Sequence, residues 1–115
     1  MILGNGIDII EVARIKAMFK RWGNSFLKRV FTEKEIEIVV KRNYSFEHIA
    51  GRFAAKEAVM KAFSLKGLGF HDIEIVNDNN GKPYCSMKSN DLMVNLSISH
   101  TKDYGVASAI IEQKS

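Results

Sequence analysis

The chain has 115 residues, which is enough for one compact domain and too few for two of ordinary size. Hydrophobic residues make up 46% and charged residues 26% of it, a balance that excludes a disordered chain and predicts a folded core. We therefore expect residues 1–115 to form a single soluble domain. A domain this small can hardly enclose a deep cleft within one chain, which favours an active site at a subunit boundary.

The net charge of +4 favours a polyanionic partner, such as nucleic acid, a nucleotide cofactor or an acidic protein. No apolar run approaches the ~20 residues of a transmembrane helix, and the start MILGNGIDII lacks the basic and then apolar segments of a secretion signal. The single cysteine, Cys85, excludes an internal disulfide or a cysteine metal cluster. We therefore expect a cytoplasmic protein that does not bind membranes.

The first half of the chain predicts a strand followed by helices. LGNGIDII predicts the strand, and helical spacing of apolar residues from Val12 to Trp22 predicts the first helix, which Gly23 ends. A second helix begins at Thr32, where Thr-Glu-Lys-Glu forms a capping box closed by Glu35.

The longest predicted helix runs from about Ser45 to Leu65, because apolar residues recur there at threes, fours and sevens, and Gly67 ends it. After it, an alternation of period two predicts antiparallel strands around residues 73–75, 94–98 and 106–110. Asp78-Asn79-Asn80-Gly81 predicts a hairpin turn. Together these elements predict an α+β fold in which an antiparallel sheet packs against the long helix.

Charged residues occupy positions on the long helix that packing alone would fill with apolar ones. At ~100° per residue, Lys56 falls inside the apolar stripe of Ile49 and Phe53, and Glu57 falls at its edge with Lys61 close behind. One interpretation is a functional site. The other is that Glu57 and Lys61 form an ordinary surface pair while the Lys56 stem runs past its neighbours to solvent, and the sequence leaves both open.

Asp8 is the second unusual charge, because it lies in a strand between Ile7 and Ile9, where aspartate is disfavoured. It either caps the following helix or binds a ligand. With Glu57, and without histidine or cysteine partners, it suits a hard cation such as Mg²⁺, which completes its shell with water and substrate phosphates. A diphosphate substrate fits such a site. Basic side chains that would hold phosphate oxygens are Arg52, Lys56, Lys61 and Lys66.

Two further groups of residues have a structural and a functional interpretation. His100 ends an alternating strand, where it would project toward a ligand, although a lone histidine there is more often structural. Arg14, Lys20 and Arg21 form a basic side on the first helix. That side is either merely solvated or a docking surface for an acidic helical partner.

Three segments in order match a known family. They are GNGIDI at 4–9 continuing to Arg14, GRFAAKEA at 51–58 continuing to Lys61, and SISH ending at His100. FTEKE at 31–35 and NGKP ending at Pro83 add agreement. On these motifs the chain resembles holo-[acyl-carrier-protein] synthase, the small bacterial type of 4'-phosphopantetheinyl transferase, over nearly its whole length.

The resemblance implies the 4'-phosphopantetheinyl transferase fold and a reaction of fatty acid biosynthesis. In that reaction the phosphopantetheine arm of coenzyme A passes to a serine of apo-acyl carrier protein, and adenosine 3',5'-bisphosphate is released. The matched motifs imply that the catalytic residues are Asp8, Glu57 and Lys61, and that Asp8 and Glu57 hold Mg²⁺. The coenzyme ligands implied are Arg52, Lys61, Pro83 and His100. The residues implied to dock the acidic carrier helix are Arg14, Lys20 and Arg21.

The resemblance also implies a homotrimer with active sites between neighbouring subunits. The serine proton would pass either to water at the metal or to the Glu57 carboxylate, and the sequence does not choose between them.

The alternative functions are those of a small basic nucleic-acid-binding domain and of a non-catalytic trimeric scaffold. The first lacks exposed aromatic residues interleaved with its basic ones, and the second gives no reason for Asp8 and Glu57 in apolar settings, so neither is preferred.

Overall fold

The computed structural model describes residues 1–64, 68–86 and 91–114. A long strand comes first, helices follow, and four strands end the described chain. The strands are β1 (Ile2–Glu11), β2 (Glu74–Asn77), β3 (Pro83–Ser86), β4 (Leu92–His100) and β5 (Tyr104–Gln113). The α-helices are α1 (Val12–Trp22), α2 (Asn24–Val30), α3 (Glu33–Lys41) and α4 (Phe46–Phe63), and one 3-10 turn spans Phe70–Asp72. Within the described ranges, no helix is both long enough and apolar enough to cross a bilayer.

The strands form two antiparallel sheets. The larger sheet has the order β1-β5-β4, with Asp8 opposite Ala107 and His100 opposite Gly105. The smaller sheet pairs β2 with β3 through the predicted turn, where Gly81 adopts a φ of 82° that favours glycine. The predicted α+β class, with an antiparallel sheet against a long helix, is confirmed.

Helix α4 packs on the larger sheet through small residues rather than through the predicted stripe of large ones. A Cβ on Gly6 would overlap the carbonyl oxygen of Ala58, and one on Gly105 would overlap the backbone of Ala50. Phe53, which was predicted to be buried, is only partly so. The buried alanines of α4 are Ala50, Ala54, Ala55, Ala58 and Ala62. Because glycine faces alanine at this contact, β1 approaches α4 closely. Polar side chains of the two elements can therefore reach one another.

Helix α2 is an element that the sequence interpretation missed. Gly23, with a φ of 55°, ends α1, and α2 begins at the next residue. The helix has seven residues and buries Phe26, Leu27 and Val30. Because seven residues make only two turns, the apolar period is too short to distinguish a helix from a loop.

The helix boundaries otherwise agree with prediction. Thr32 and Glu35 form the capping box of α3, in which the Thr32 N–H donates to Glu35 Oε1 at 2.8 Å. Helix α4 ends at Phe63, where Ser64 adopts a left-handed φ of 51°. The predicted end at Leu65 and Gly67 lies outside the described residues.

Candidate active site

The close contact between β1 and α4 places Lys61 against Asp8. Lys61 Nζ donates to Asp8 Oδ1 at 2.9 Å and to the Ile7 carbonyl oxygen at 3.1 Å. The Asp8 side chain is 15% exposed, while that of Lys61 is 54% exposed. Helix α1 has Glu11 as its N-cap, so the interpretation of Asp8 as a helix cap is wrong. The strand instead presents Asp8 to the charged edge of α4.

Glu57 completes a group of charges that act on one another. Burial raises the pKa of Glu57, Asp8 raises it further, and Lys61 and Arg14 oppose the rise. Because Asp8 disfavours the charge of Glu57, the two carboxylates leave negative potential at this point of the surface. The site therefore has one half-buried acidic pair with one exposed lysine beside it.

This donor set fits Mg²⁺. Among the described residues, no group of three or more His, Cys, Asp or Glu side chains suits a metal ion, so a closed protein cage is not what this part of the chain offers. Mg²⁺ uses one or two carboxylates and takes its remaining ligands from water and substrate phosphates. Asp8 and Glu57 supply the two carboxylates, and their mutual repulsion is what a divalent cation would relieve.

An apolar groove opens beside Glu57. It has a volume of about 640 Å³ and lies between α1, α2 and α4. Its apolar lining includes Met18, Trp22, Phe26 and Phe53. Trp22 is 57% exposed, and the Arg21 guanidinium lies 4.9 Å from its ring centroid. The groove thus joins the basic helix α1 to the acidic pair.

Arg52, Pro83 and His100 belong to a second group, around the N-terminal half of α4. The Arg52 guanidinium donates to Asn77 Oδ1 at 2.5 Å and to the Ile75 carbonyl oxygen at 3.3 Å. Asn77 is paired with Pro83 across the smaller sheet, which places Pro83 beside this arginine. Burial lowers the pKa of Arg52. The described hydrogen bonds of its guanidinium all go to groups of the protein itself.

His100 lies at the end of β4 against the first turn of α4. Its Nδ1 is 3.9 Å from Glu47 Oε2, and its ring centroid is 4.5 Å from that of His48. His48 precedes Glu57 by nine residues, which at 1.5 Å per residue is roughly 14 Å along the helix. Within one chain the structure therefore brings together Asp8, Glu57 and Lys61, and His100 lies away from them at the other end of α4. The described hydrogen bonds of Arg52 go to Ile75, Tyr44 and Asn77 and not to the acidic pair.

Lys56 has neither of the roles considered from the sequence. Its side chain is fully buried, and Nζ donates to Glu35 Oε1 at 2.5 Å. The expectation that Lys56 holds a phosphate is therefore wrong, as is the alternative that it extends to solvent, because a buried ammonium needs an internal partner. Lys66, the other suggested phosphate contact, lies outside the described residues.

Sequence reasoning missed three polar residues near the site. Glu35 was identified as a capping residue and not as the partner of Lys56. Tyr44 and His48 stack with ring centroids 4.8 Å apart, next to Arg52 and His100. The available signal was the spacing of Ser45, His48 and Arg52 over the first two turns of α4, which puts them on one side of the helix.

Comparison with known proteins assigns this chain to a class. The family profile of the 4'-phosphopantetheinyl transferase superfamily matches residues 4–110. The chain therefore belongs to the 4'-phosphopantetheinyl transferase superfamily.

Relatives within the superfamily narrow the assignment. The chain is 49% identical to a holo-[acyl-carrier-protein] synthase of Clostridium tetani, with 97% of each sequence covered. It is 43% identical to the holo-[acyl-carrier-protein] synthase of a Geobacillus species over the whole of both chains. The family resemblance and the transferase class predicted from the sequence are confirmed.

Solved structures agree with the sequence relatives. A Bacillus anthracis holo-(acyl-carrier-protein) synthase in complex with CoA (3',5'-ADP) is 42% identical, with a TM-score of 0.83 and 99% of each chain covered. The Helicobacter pylori holo-[acyl-carrier-protein] synthase in complex with coenzyme A is 31% identical, with a TM-score of 0.84, covering 94% of this chain and 99% of that one. The predicted fold is thereby confirmed.

Proposed function

We propose that this protein transfers the 4'-phosphopantetheine group of coenzyme A to a serine of apo-acyl carrier protein, with Asp8, Glu57 and Lys61 as the catalytic residues. The observation that carries the proposal is the meeting of these three side chains at the contact between β1 and α4, in a member of this superfamily. A nucleic-acid-binding or scaffold role would not explain why these three side chains lie together.

Asp8 and Glu57 would hold Mg²⁺, which supplies neutralising charge to the diphosphate of the coenzyme when it is bound. The chain's own part is to orient the carboxylates. Lys61 holds the Asp8 carboxylate through its 2.9 Å contact, and the Lys61 side chain is 54% exposed, so it is open to a phosphate that binds at the surface. A lysine so placed stabilises negative charge that develops as the serine oxygen attacks phosphorus.

The bond changes are those of a phosphoryl-type transfer. The serine oxygen bonds to the phosphorus that bears the pantetheine arm, and the bond from that phosphorus to the bridging oxygen breaks. Adenosine 3',5'-bisphosphate leaves with that oxygen, and the serine loses its proton. Positioning and electrostatics therefore provide the catalysis, since the chain needs no nucleophile of its own.

Helix α1 would dock the carrier protein. Arg14, Lys20 and Arg21 are exposed on it, and they complement an acidic helix. The groove beside them leads from Trp22 to Glu57, so a partner seated on α1 would present its serine at the acidic pair.

A homotrimer with composite sites is part of the proposal. The face of the larger sheet turned away from α4 carries exposed apolar residues, among them Ile7 (67% exposed), Ile9 (62%) and Ile110 (38%). A contiguous apolar face of this kind favours subunit contact. The two groups of site residues lie apart along α4, so a coenzyme that uses both would take Asp8 and Glu57 from one subunit and Arg52, Pro83 and His100 from another.

Mixed trimers test the composite site. Glu57→Gln and His100→Ala chains would each be inactive alone, and after unfolding and refolding together they would regain activity, up to about a quarter of the wild-type value, because a head-to-tail interface pairs intact halves at random. The control mixture is Glu57→Gln with Asp8→Asn, which damage the same half and would stay inactive. Equal inactivity of both mixtures in assembled trimers would contradict composite sites.

We further propose that residues 1–115 form one such domain, acting in the cytoplasm in fatty acid biosynthesis.

The first experiment to test the proposed transfer is an intact-mass assay of apo-acyl carrier protein with this protein, coenzyme A and Mg²⁺, with EDTA as the control. A gain of one phosphopantetheine mass that requires metal is expected. No gain with several carriers would contradict the function.

A further inference from the structure

Glu35 is a buried carboxylate with more hydrogen bonds than its place in a capping box requires. Its side chain is 3% exposed. Oε1 accepts from the Thr32 N–H at 2.8 Å and from Lys56 Nζ at 2.5 Å, while Oε2 accepts the Ile75 N–H at 2.9 Å. A capping box uses only the contact with Thr32. The contacts with α4 and β2 therefore need a separate explanation.

The contact with Ile75 supports a strand that has a partner on one side only. Among the described residues the smaller sheet consists of β2 and β3, with Ile75 opposite Cys85. Ile75 is 0% exposed, so its backbone groups need partners inside the protein. Its N–H donates to Glu35, and its carbonyl oxygen accepts from Arg52 Nη1 at 3.3 Å. Ile75 thus connects the Glu35 carboxylate to the Arg52 guanidinium.

Strand β2 also connects Arg52 to the hairpin that carries Pro83. Arg52 Nη2 donates to Asn77 Oδ1 at 2.5 Å, and Asn77 is opposite Pro83 in the smaller sheet. A second contact from α3 holds the start of the strand, because Thr32 Oγ1 donates to Glu74 Oε2 at 2.7 Å. A displacement of β2 would therefore move Arg52 and Pro83 together.

We propose that Glu35 is a positioning residue for coenzyme binding, which acts by accepting the Ile75 N–H and so fixing β2, Arg52 and Pro83 where the coenzyme meets them. The inference rests on the proposed function, which assigns Arg52 and Pro83 to the coenzyme. Glu35 itself is buried and acts only through β2. The Lys56 ammonium compensates the charge of the carboxylate, so that this acceptor can be kept in the interior.

Two double variants isolate the acceptor from the ion pair. Glu35→Gln with Lys56→Met and Glu35→Leu with Lys56→Met both remove the buried pair, and only the first keeps a side-chain oxygen for the Ile75 N–H. Calorimetric titration with coenzyme A should show roughly tenfold weaker binding to the Glu35→Leu double variant than to the Glu35→Gln one. The KM for coenzyme A should change in the same ratio, while kcat and the KM for acyl carrier protein should agree within about twofold.

A carboxylate with only a structural role would give a different result. The two double variants would then differ in stability, and hence in the folded fraction and the apparent kcat, but not in the affinity of the folded molecules. Val39→Ala is the matched control, because Val39 is a buried apolar residue one turn further along α3. It should lower the free energy of unfolding in urea and leave the affinity for coenzyme A unchanged.

Equal affinity of the two double variants for coenzyme A would overturn the proposal, as would an equal rise in both KM values. If the Glu35→Leu double variant does not fold, the Glu35→Gln one decides against the unaltered protein: affinity within about twofold supports the role of the acceptor, and a tenfold loss contradicts it.

The mass assay separates this inference from the proposed function. If no transfer occurred while coenzyme A binding still depended on the acceptor at residue 35, the proposed function would be wrong and the positioning role would stand. Transfer that proceeds with equal coenzyme affinity in both double variants would leave the function and remove the role of Glu35. Failure of the unaltered protein to bind coenzyme A would overturn both.

Discussion

Lys56 Nζ lies 2.5 Å from Glu35 Oε1 at the junction of α3, α4 and β2, and the two side chains are 0% and 3% exposed. The other carboxylate oxygen, Oε2, accepts the Ile75 backbone N–H at 2.9 Å. One buried glutamate thus joins two helices and a strand. The next residue along α4 from Lys56 is Glu57, so the buried pair anchors the helix segment that carries the candidate metal ligand.

Breaking this buried pair should destabilise the protein. Lys56→Met leaves the Glu35 carboxylate without its cation, and Glu35→Gln leaves the ammonium buried, each at a cost of about 3 kcal/mol or more in the free energy of unfolding. The double variant should cost less than the sum. Urea unfolding measures this, with Lys41→Met as the control, because Lys41 forms an exposed 3.8 Å pair with Glu37. Single changes that cost less than about 1 kcal/mol would contradict the account.

Removing either proposed metal ligand, Asp8 or Glu57, should abolish transfer while the fold persists. Asp8→Asn and Glu57→Gln should each lower the turnover rate by at least about a hundredfold and raise the Mg²⁺ concentration for half-maximal rate. Glu37→Gln is the matched control, since Glu37 is 65% exposed on α3. The measurement is the initial rate against Mg²⁺ concentration, and an Asp8→Asn enzyme fully active at limiting Mg²⁺ would refute the assignment.

Gly6 should be needed for the site as well as for stability. A Cβ there would overlap the Ala58 carbonyl oxygen, so Gly6→Ala should push β1 from α4, separate Asp8 from Lys61 and cost about 1–3 kcal/mol. Gly69→Ala is the control, because its Cβ would meet Asp72 Oδ2 at an ordinary 3.6 Å. Thermal unfolding and turnover are measured together. Gly6→Ala with unchanged stability and rate would show that β1 tolerates displacement.

Reversing one charge on α1 should affect the carrier and not the coenzyme. Arg21 suits this test better than Arg14, because Arg14 also acts on the pKa of Glu57. Arg21→Glu should raise the KM for acyl carrier protein by roughly tenfold or more, and more strongly at low salt, with the KM for coenzyme A unchanged. Lys34→Glu on the exposed side of α3 is the control. Equal changes in both KM values would exclude α1 as the docking surface.

Cys85 should be chemically inert in the folded protein. Burial raises the pKa of its thiol from the usual 9.0 to about 11. Because the thiolate is the reactive form, labelling by iodoacetamide below that pH should be about a hundredfold slower than for the urea-unfolded chain. Labelling rates followed by intact mass provide the test, and equal rates in the two states would show that the thiol is accessible and ordinary.

Much of the fold was predictable because its signals are local. The capping box at Thr32, the turn ending at Gly81 and the alternation that ends at His100 each depend on a few neighbouring residues, and the structure contains all three. Helix α2 was not predictable in the same way, since it is short and its apolar residues become informative only once they pack. The predicted stripe on α4 is only part of the contact: Ile49 is in the core and its larger neighbours are partly buried against it. The deepest contacts are made by alanines opposite glycines, which carry little hydrophobic signal.

The sequence by itself determined the family and the α+β class. It also indicated Asp8 and Glu57 as candidate metal ligands, because carboxylates in apolar settings are conspicuous wherever they occur. Only the tertiary structure decided their partners. Lys61 meets Asp8 from 53 positions away, Lys56 meets Glu35 across two helices, and His48 meets His100 across a helix and a strand. These pairings depend on how closely β1, α3 and β4 approach α4, and those distances are set by the side-chain volumes on both elements of each contact and not by any local pattern.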